Sequence, residues 1–399
     1  MNVRMIARSL VAGMLAAPAL AQGPLTPPGA PAPTMKTMEQ VEPRTAITNV
    51  PFAISQSGSY YLATNLTSAG SGVVISASGV TLDLMGFSIT GAGGAADCGV
   101  QIAGAAGAPL LDVVVRNGTL RNFQYGVRAD FAFLSRLENL AVLSNLYYGV
   151  WLNALGGSCG GNSIARCSVV GNGHAGAGYP GIYLYGSGGR CNGNRIVACS
   201  IQDNKQEGIA FNASSSGQCD GNVVSDCAIV GNGGAGVEID GTGGQCNGNV
   251  VSHCSVVANG AYGISALGTS GACSGNLISG CTVNGNVDFG IVLSGAGGAC
   301  AGNAVAGCSV GENAGTGIRL NVASGNRIEN NRIYDFAGGT RYGIDCVAST
   351  NNLIVRNSCG GQDHDFSMSA KDVYGPVVAA VGELATNGVS AHPWANFSQ

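Results

Sequence analysis

The sequence predicts an all-β solenoid with three short strands per coil of about 23–32 residues, and three observations predict this class. Glycine accounts for 66 of 399 residues, a density that disfavours helices because each glycine costs a helix about 1 kcal/mol relative to alanine. A Gly-[Ile/Val] pair recurs along the chain, and apolar residues alternate with polar ones around it, as in strands with one buried face. Hydrophobic residues make up 45% of the chain, enough for a large core.

The charge pattern excludes two classes of protein. Only 10% of residues are charged and the net charge is -4, whereas disordered chains combine high charge with low hydrophobicity. The chain has three lysines, Lys36, Lys205 and Lys371, which form no basic cluster in the sequence. We therefore expect no nucleic-acid partner, because nucleic-acid binding needs a basic surface.

The N-terminal segment has the pattern of an export signal. Arg4 and Arg8 precede a short apolar run, and Ala19-Leu20-Ala21 matches a cleavage site. The sequence thus predicts a signal peptide over residues 1–21 and a proline-rich linker over residues 22–45, where prolines hold the chain extended. No later segment has the uninterrupted apolar length that spans a bilayer. We expect a secreted, periplasmic or cell-surface protein with no membrane span in the mature chain.

The repeat is marked by a glycine that opens one strand in every coil. Successive copies are 23, 32, 27, 28, 27, 27, 27 and 26 residues apart: Gly126, Gly149, Gly181, Gly208, Gly236, Gly263, Gly290, Gly317 and Gly343. Each copy contains three short stretches of alternating apolar residues with no helix-length segment between them, which excludes βαβ units. Each strand can instead pair with its copy in the next coil at about 4.8 Å.

The repeat also resembles a known family. The pattern Asn-x-Ile-x-x-[Asn/Cys]-x-Ile-x-x-Asn-x-x-x-Gly-Ile-x-Leu is similar to the right-handed parallel β-helix repeat of pectin-lyase-like proteins. The segments 51–62 and 80–91 resemble the first coils of many secreted bacterial β-helix proteins of uncertain activity, and 374–377 with 392–397 resemble their tail. The resemblance implies a right-handed β-helix over residues 46–370. Because a solenoid must close its exposed end, we expect residues 371–399 to form a tail that caps the last coil.

Asparagines recur at two positions of each coil. One column contains Asn122, Asn145, Asn172, Asn204, Asn232, Asn259, Asn286 and Asn313, and the other contains Asn162, Asn194, Asn222, Asn249, Asn276, Asn303, Asn326 and Asn352. Stacked side-chain amides can hydrogen-bond from coil to coil and satisfy buried polar groups. We interpret both columns as structural.

Cysteines form two further columns. They contain twelve of the fifteen cysteines: Cys159, Cys191, Cys219, Cys246, Cys273 and Cys300 in one, and Cys167, Cys199, Cys227, Cys254, Cys281 and Cys308 in the other. Both are lost together in the next coil, at Ala323 and Asn331, so we predict disulfides between the columns, which persist in exported proteins. The alternatives are disulfides within a column, since stacked residues are close enough, or free buried thiols.

The outward positions of the Gly-Ile-x-Leu strands concentrate aromatic and charged residues. Trp151, Tyr183 and Tyr185 fall on adjacent coils, and we predict that they form an exposed aromatic platform that stacks on a sugar ring. The alternative is a solvated strand face whose aromatic rings pack against one another or against the 172–180 insertion.

The same face continues with polar residues at Asn212, Glu238 and Asp240. Glu238 and Asp240 are two residues apart on one strand, about 7 Å between Cα atoms. Their oxygens suit either a cation such as calcium or an acid/base pair. The sequence contains no motif for another cofactor or for a structural metal.

These observations predict an exported protein that binds, and in one version modifies, a carbohydrate or cell-envelope polysaccharide along this face. One alternative is a non-catalytic structural, cell-surface or matrix protein. The other is a polysaccharide lyase or glycoside hydrolase with a non-standard site, because the segments 172–176 and 327–329 depart from the patterns of pectin-lyase-like enzymes. The sequence leaves enzymatic activity undecided.

Overall fold

The computed structural model describes residues 42–92, 97–176, 178–335, 341–379 and 389–399. The predicted signal peptide, and the linker as far as residue 41, lie outside these residues. Among the residues described, no helix has the length and apolar character needed to cross a membrane.

One face of the fold is a parallel sheet of thirteen strands, one from each coil. Its strands are Phe52–Ile54, Val73–Ile75, Cys98–Ala103, Tyr125–Asp130, Val150–Asn153, Ile182–Tyr185, Ile209–Asn212, Val237–Asp240, Ile264–Leu267, Ile291–Ser294, Ile318–Asn321, Tyr342–Val347 and His364–Ser367. Each pairs with the strands of the coils on either side. The strands from Tyr125–Asp130 to Tyr342–Val347 are the predicted Gly-[Ile/Val] strands, whereas the last strand, His364–Ser367, does not contain this pair.

A second parallel sheet of 26 strands covers the other two sides of each coil. Its strands are Thr45–Ile47, Gly58–Leu62, Leu66–Ser68, Val80–Asp83, Ser88–Gly91, Val114–Arg121, Arg136–Leu143, Ser163–Ala165, Ser168–Val170, Arg195–Val197, Ser200–Gln202, Val223–Ser225, Ala228–Val230, Val250–Ser252, Ser255–Val257, Leu277–Ser279, Thr282–Asn284, Ala304–Ala306, Ser309–Gly311, Arg327–Glu329, Arg332–Tyr334, Leu353–Val355, Ser358–Gly360, Val373–Tyr374, Val377–Ala379 and Asn396–Ser398.

The two sides belong to one sheet because Val114–Arg121 and Arg136–Leu143 are each eight residues long and run across both. The remaining elements are a two-stranded parallel pair, Leu110–Leu111 with Ala132–Phe133, and a short 3₁₀ helix at Val389–Ala391. The chain therefore folds as the predicted right-handed parallel β-helix, with three strands in most coils.

Equivalent residues lie directly above one another in successive coils. Val237 pairs with Ile209 on one side and Ile264 on the other, so their preceding glycines share one column. Glycine is required there because a Cβ on Gly236 would lie 2.4 Å from Val256 Cγ1 and 2.7 Å from the carbonyl oxygen of Gly263. The repeated glycine thus reflects close approach between coils.

Both asparagine columns form hydrogen-bonded ladders inside the corners. In the first, the side-chain nitrogen of each asparagine donates to the side-chain oxygen of the next at 2.8–3.0 Å, from Asn145 to Asn313. In the second the corresponding distances are 2.9–3.1 Å, from Asn162 to Asn352. The structural interpretation of the columns is confirmed by these bonds.

Asn122 is an exception to the predicted first column. It is exposed with a φ of 61°, and the buried Phe123 takes its place inside the coil. The side-chain oxygen of Asn145 accepts a hydrogen bond from the backbone N–H of Phe123 at 3.0 Å. The ladder therefore begins at Asn145, and assigning Asn122 to it was wrong by one residue.

All fifteen cysteines are buried and free. The predicted cross-column disulfides are therefore not formed in the structure: the thiol of Cys219 contacts those of Cys191 and Cys246, which lie above and below it in the same column. The Sγ atom of Cys219 also donates to the carbonyl oxygen of Asn212 at 3.3 Å. Stacking brings together equivalent cysteines, and the residues that separate the two columns along each coil keep the columns apart.

The second cysteine column continues as a third asparagine ladder. The side-chain oxygen of Asn331 accepts from the backbone N–H of Cys308 at 2.9 Å, and the side-chain nitrogen of Asn331 donates to Asn357 at 3.0 Å. Asn357 in turn donates to Asn396 at 3.2 Å. Residues near the C-terminal end thus complete the ladders, as Asp372 does for Asn352 at 2.8 Å.

Candidate functional site

The candidate site lies on the outer face of the thirteen-stranded sheet. Its columns are set by strand register: Trp151 pairs with Tyr183, Tyr183 with Ala210, and Ala210 with Glu238. In the neighbouring column Tyr185 pairs with Asn212, and Asn212 with Asp240. The structure therefore brings all six sequence-predicted binding residues to one face, on four consecutive coils.

At one end of this face the aromatic rings form a continuous group, here called the aromatic cluster. Its members are Tyr125, Tyr147, Tyr148, Trp151, Tyr179, Tyr183 and Tyr185. The ring of Tyr183 stacks on Tyr148 at 4.8 Å and on Tyr185 at 5.3 Å between centroids. Trp151 lies 5.2 Å from Tyr148. A stack of this size on a strand face offers apolar ring surface to a ligand.

The aromatic cluster differs from the predicted platform in two respects. Trp151, Tyr183 and Tyr185 are only partly exposed, because they pack against additional tyrosines. One of these, Tyr179, belongs to the predicted insertion and meets Tyr148 edge-on at 5.1 Å. Tyr125 and Tyr148 each precede a repeat glycine, and that position is the sequence signal that could have identified them.

Arg128 packs against one end of the aromatic cluster and is bound there by Asp130. The guanidinium of Arg128 lies over the Trp151 ring at 4.8 Å and donates to the Asp130 carboxylate at 2.9 Å. Asp130 also accepts from the side chains of Gln101 and Asn153 at 3.1 and 2.7 Å. These bonds occupy the Asp130 carboxylate and fix the plane of the indole. The indole Nε1 of Trp151 is buried without a hydrogen-bond partner.

Next to the aromatic rings lie three carboxyl groups, here called the acidic cluster: Glu207, Glu238 and Asp240. Asp240 accepts from the side-chain nitrogen of Asn212 at 3.1 Å and from the backbone N–H of Thr242 at 2.9 Å. In the part of the chain that the structure describes, none of the three carboxyl groups forms an ion pair.

Burial and like charge make the acidic cluster unusual. Burial, together with the negative charges of Glu207 and Asp240, raises the pKa of Glu238 to about 8. Burial and the charge of Asp240 also raise the pKa of Glu207. A carboxylic acid beside an ionised carboxylate is the arrangement that general acid/base chemistry uses.

The far side of the acidic cluster is covered by a second pair of rings. Ser265 pairs with Glu238 in the next coil and points to the same outer face, yet it is 0% exposed and its hydroxyl has no hydrogen-bond partner. The rings of Tyr262 and Phe289 stack at 5.9 Å. Burial, then the negative charges of Asp288 and Glu238, raise the pKa of Tyr262.

The carboxyl groups of this face and the stacked cysteines are the candidate metal ligands. Within the described ranges, no group of three or more histidine, cysteine, aspartate or glutamate side chains could hold a metal ion. The stacked thiols are soft donors, but those of the two columns are at most 3% exposed. Burial raises the pKa of Cys300 to about 12, which opposes a thiolate at that position, whereas hydrogen bonds to neighbouring cysteines lower the pKa of Cys199 and Cys308.

The sequence profile of one protein family matches more than half of the chain. The sequence profile described as "Periplasmic copper-binding protein (NosD)" matches residues 161–373, and the profile "Right handed beta helix region" matches residues 54–217. No individual curated protein sequence matches the chain significantly.

Solved structures show the same fold at low sequence identity. The Azotobacter vinelandii mannuronan C-5 epimerase AlgE6 A-module has a TM-score of 0.54 and 16% identity, and the match covers 80% of this chain and 91% of that one. ORF18 of Geobacillus virus E2 has a TM-score of 0.50 and 14% identity, with 77% and 57% covered. The Dettilon tailspike protein gp208 has a TM-score of 0.50 and 13% identity, with 89% and 61% covered.

Proposed function

The chain belongs to the family described as periplasmic copper-binding protein (NosD), and from this premise and the outer face we propose that it is an exported protein that binds a polysaccharide. The single observation that carries the proposal is the aromatic cluster, seven contacting rings on one strand face. Aromatic rings with polar edges suit sugar rings, whose C–H faces are apolar and whose hydroxyl groups need hydrogen-bond partners. Asn212 and Asp240, in the same columns, supply polar atoms beside the rings.

The comparisons support the proposal at the level of fold. The epimerase module acts on mannuronan, a polysaccharide, and shares the β-helix across 80% of this chain. The family description also supports the periplasm as the compartment, in agreement with the predicted signal peptide. Copper, which the description names, is not part of the proposal, because the described residues do not fit a metal site. Calcium at Glu238 and Asp240 is left out for the same reason.

The experiment is a glycan array followed by calorimetry on the oligosaccharides that bind. We expect Trp151→Ala and Tyr185→Ala to weaken binding at least tenfold, which corresponds to about 1.4 kcal/mol. Trp394→Ala is the matched control, since Trp394 is a 40% exposed aromatic residue near the C-terminal end. Far-UV circular dichroism confirms that each variant is folded.

Two outcomes would contradict the proposal. If no glycan binds to the folded wild-type protein, the structural or matrix alternative replaces it. If binding survives in both aromatic variants, the ligand uses another surface. Product analysis of the bound oligosaccharides, with Glu238→Gln as the comparison, decides whether the lyase or hydrolase alternative applies.

A further inference from the structure

The acidic cluster adds a charge requirement to the proposed binding face. We propose that Glu207, Glu238 and Asp240 select a polysaccharide whose sugars carry free amino groups, with the rings on the aromatic cluster and an ammonium group among the three carboxyl groups. This inference rests on the proposed function, because it takes the aromatic cluster as the sugar-binding surface and names the class of sugar.

The first argument is charge without compensation. Glu207 and Glu238 lie on neighbouring coils and Asp240 lies on the strand of Glu238. Arg128 lies four coils away along the column and Arg319 three coils the other way, roughly 19 and 14 Å at about 4.8 Å per coil. In the described part of the chain, neither arginine forms an ion pair with the acidic cluster.

The two arginines are also engaged elsewhere. Arg128 pairs with Asp130 at 2.9 Å, and the guanidinium of Arg319 lies over the Phe289 ring at 4.8 Å. The titratable groups that act on Glu238 are Glu207 from the preceding coil, Asp240 from its own strand and the Tyr262 phenol from the following coil. Lys205, two residues before Glu207, is exposed and forms no ion pair with the cluster among the described residues. A ligand ammonium group would supply the missing positive charge.

The second argument is the unsatisfied hydroxyl of Ser265. Its Oγ atom is buried beside Glu238 with no partner, and a buried polar atom without a partner is destabilising. An ammonium group has three N–H donors, so it can donate to a carboxyl oxygen and to this hydroxyl at once. This unsatisfied hydroxyl is an observation independent of the charges, and it also favours an ammonium ligand.

The third argument is distance along the face. Tyr185 and Asp240 occupy the same column two coils apart, which is roughly 10 Å. Neighbouring sugars of one chain that runs along the column can therefore reach both the rings and the carboxylates. The same geometry excludes polyuronates such as mannuronan, because their carboxylates would face the acidic cluster without an intervening cation.

The test compares matched oligosaccharides at pH 6. Glucosamine and N-acetylglucosamine oligomers have the same backbone and differ in whether the nitrogen is charged, and a mannuronan oligomer supplies the opposite charge. We expect the glucosamine oligomer to bind at least tenfold more tightly than the acetylated one, and the mannuronan oligomer not to bind. Raising the salt concentration should reduce the preference, because exposed charge pairs are screened.

Two variants test whether the acidic cluster causes the preference for the glucosamine oligomer over the acetylated one. Asp240→Asn keeps an acceptor for Asn212 and Thr242 but removes the charge, and we expect it and Glu207→Gln to reduce the preference to threefold or less. Asp226→Asn is the matched control, since Asp226 is an exposed carboxylate at a corner outside this face, and it should leave the preference unchanged.

The outcomes separate this inference from the proposed function. Equal binding of the two glucosamine-based oligomers, or tight binding of the mannuronan oligomer, overturns the charge requirement and leaves polysaccharide binding in place. A preference that survives in both carboxylate variants also overturns it. If none of the three oligomers and no other glycan binds, the proposed function itself fails.

Discussion

Glu238 lies between two other carboxyl groups on a strand face, and its protonated form is therefore favoured up to a pKa of about 8. The ordinary glutamate pKa is about 4.3. Because the folded protein binds this proton more tightly than the unfolded chain does, protonation stabilises the fold. That stabilisation is complete at low pH and is lost as pH rises between the two pKa values.

The first prediction follows from this pKa shift. The free energy of unfolding of the wild type should fall relative to that of Glu238→Gln as pH rises from about 4.5 to about 8, and then stay level. The full difference is about 5 kcal/mol at most, for a shift from about 4.3 to about 8 at 1.36 kcal/mol per pKa unit. Urea unfolding of both proteins at several pH values measures it. Parallel pH dependence of the two proteins would contradict the assigned burial of Glu238.

The second prediction concerns the glycine that opens each strand. Gly236→Ala should destabilise the protein by about 1–3 kcal/mol or more, because the added Cβ meets Val256 and the carbonyl of Gly263 at less than 3 Å. Gly107→Ala is the control, since no atom lies within 4 Å of a Cβ added at Gly107. Thermal unfolding of both variants is the measurement, and equal loss in the two would show that close approach does not explain the repeated glycine.

At the scale of the element, the asparagine ladders join the corners of successive coils. Each rung satisfies a backbone N–H as well as a side-chain amide: the side-chain oxygen of Asn249 accepts from both the backbone N–H and the side-chain nitrogen of Asn222, at 2.8 and 3.1 Å. Inside a corner no water can replace these bonds, so each asparagine is supported by its neighbours and supports them.

The third prediction is that Asn249→Ala costs about 2–4 kcal/mol of unfolding free energy. The substitution leaves the backbone N–H of Asn222 without its acceptor, at about 1–3 kcal/mol before relaxation. It also removes one bond from the side-chain nitrogen of Asn222, which keeps the carbonyl oxygen of Cys191, and one from the side-chain oxygen of Asn276, which keeps the backbone N–H of residue 249. Asn65→Ala is a suitable comparison, because Asn65 binds Ser88 at an exposed site. Denaturant unfolding should show a clearly smaller loss there, and a similar loss would argue against the ladder as a source of stability.

The ladders were predictable from sequence because a buried amide must find a partner, and a fixed repeat supplies one in the next coil. The cysteine pairing was not, because joint presence in a coil says nothing about which way each thiol points. The corner residues with a left-handed backbone conformation could not be predicted from the sequence either. Ala198 and His253 adopt φ values of 53° at equivalent corners. Glycine or asparagine at these positions would have indicated a left-handed backbone, but alanine and histidine do not.

At the scale of the whole β-helix, the repeat predicted which residues share a face but not how their side chains pack there. Register placed Trp151, Tyr183 and Tyr185 together as expected. The contributions of Tyr148 and Tyr179 come from corner residues, whose rings turn over the strand face. The acidic cluster shows the same limit: Glu238 and Asp240 follow from strand alternation, whereas Glu207 joins them from a corner.

The fourth prediction uses the equivalence of the coils themselves. Deleting residues 246–272 removes one 27-residue coil and joins Gln245 to Cys273. Gln245 then occupies the position of Ala272, with which it forms an isolated parallel β-bridge. Solenoid stability is approximately a sum over coils and their interfaces. We therefore expect a folded protein with an unchanged strand spectrum per residue and a slightly lower melting temperature.

The control is a deletion of half a coil, residues 246–259, measured in the same way by circular dichroism and thermal unfolding. It shifts every later residue away from its column, so the repeat glycines, asparagines and cysteines no longer meet their copies at this junction. We expect this variant to be insoluble or unfolded. Similar behaviour of the two deletions would mean that coil-to-coil register is not what specifies the fold, because only the full-coil deletion preserves it.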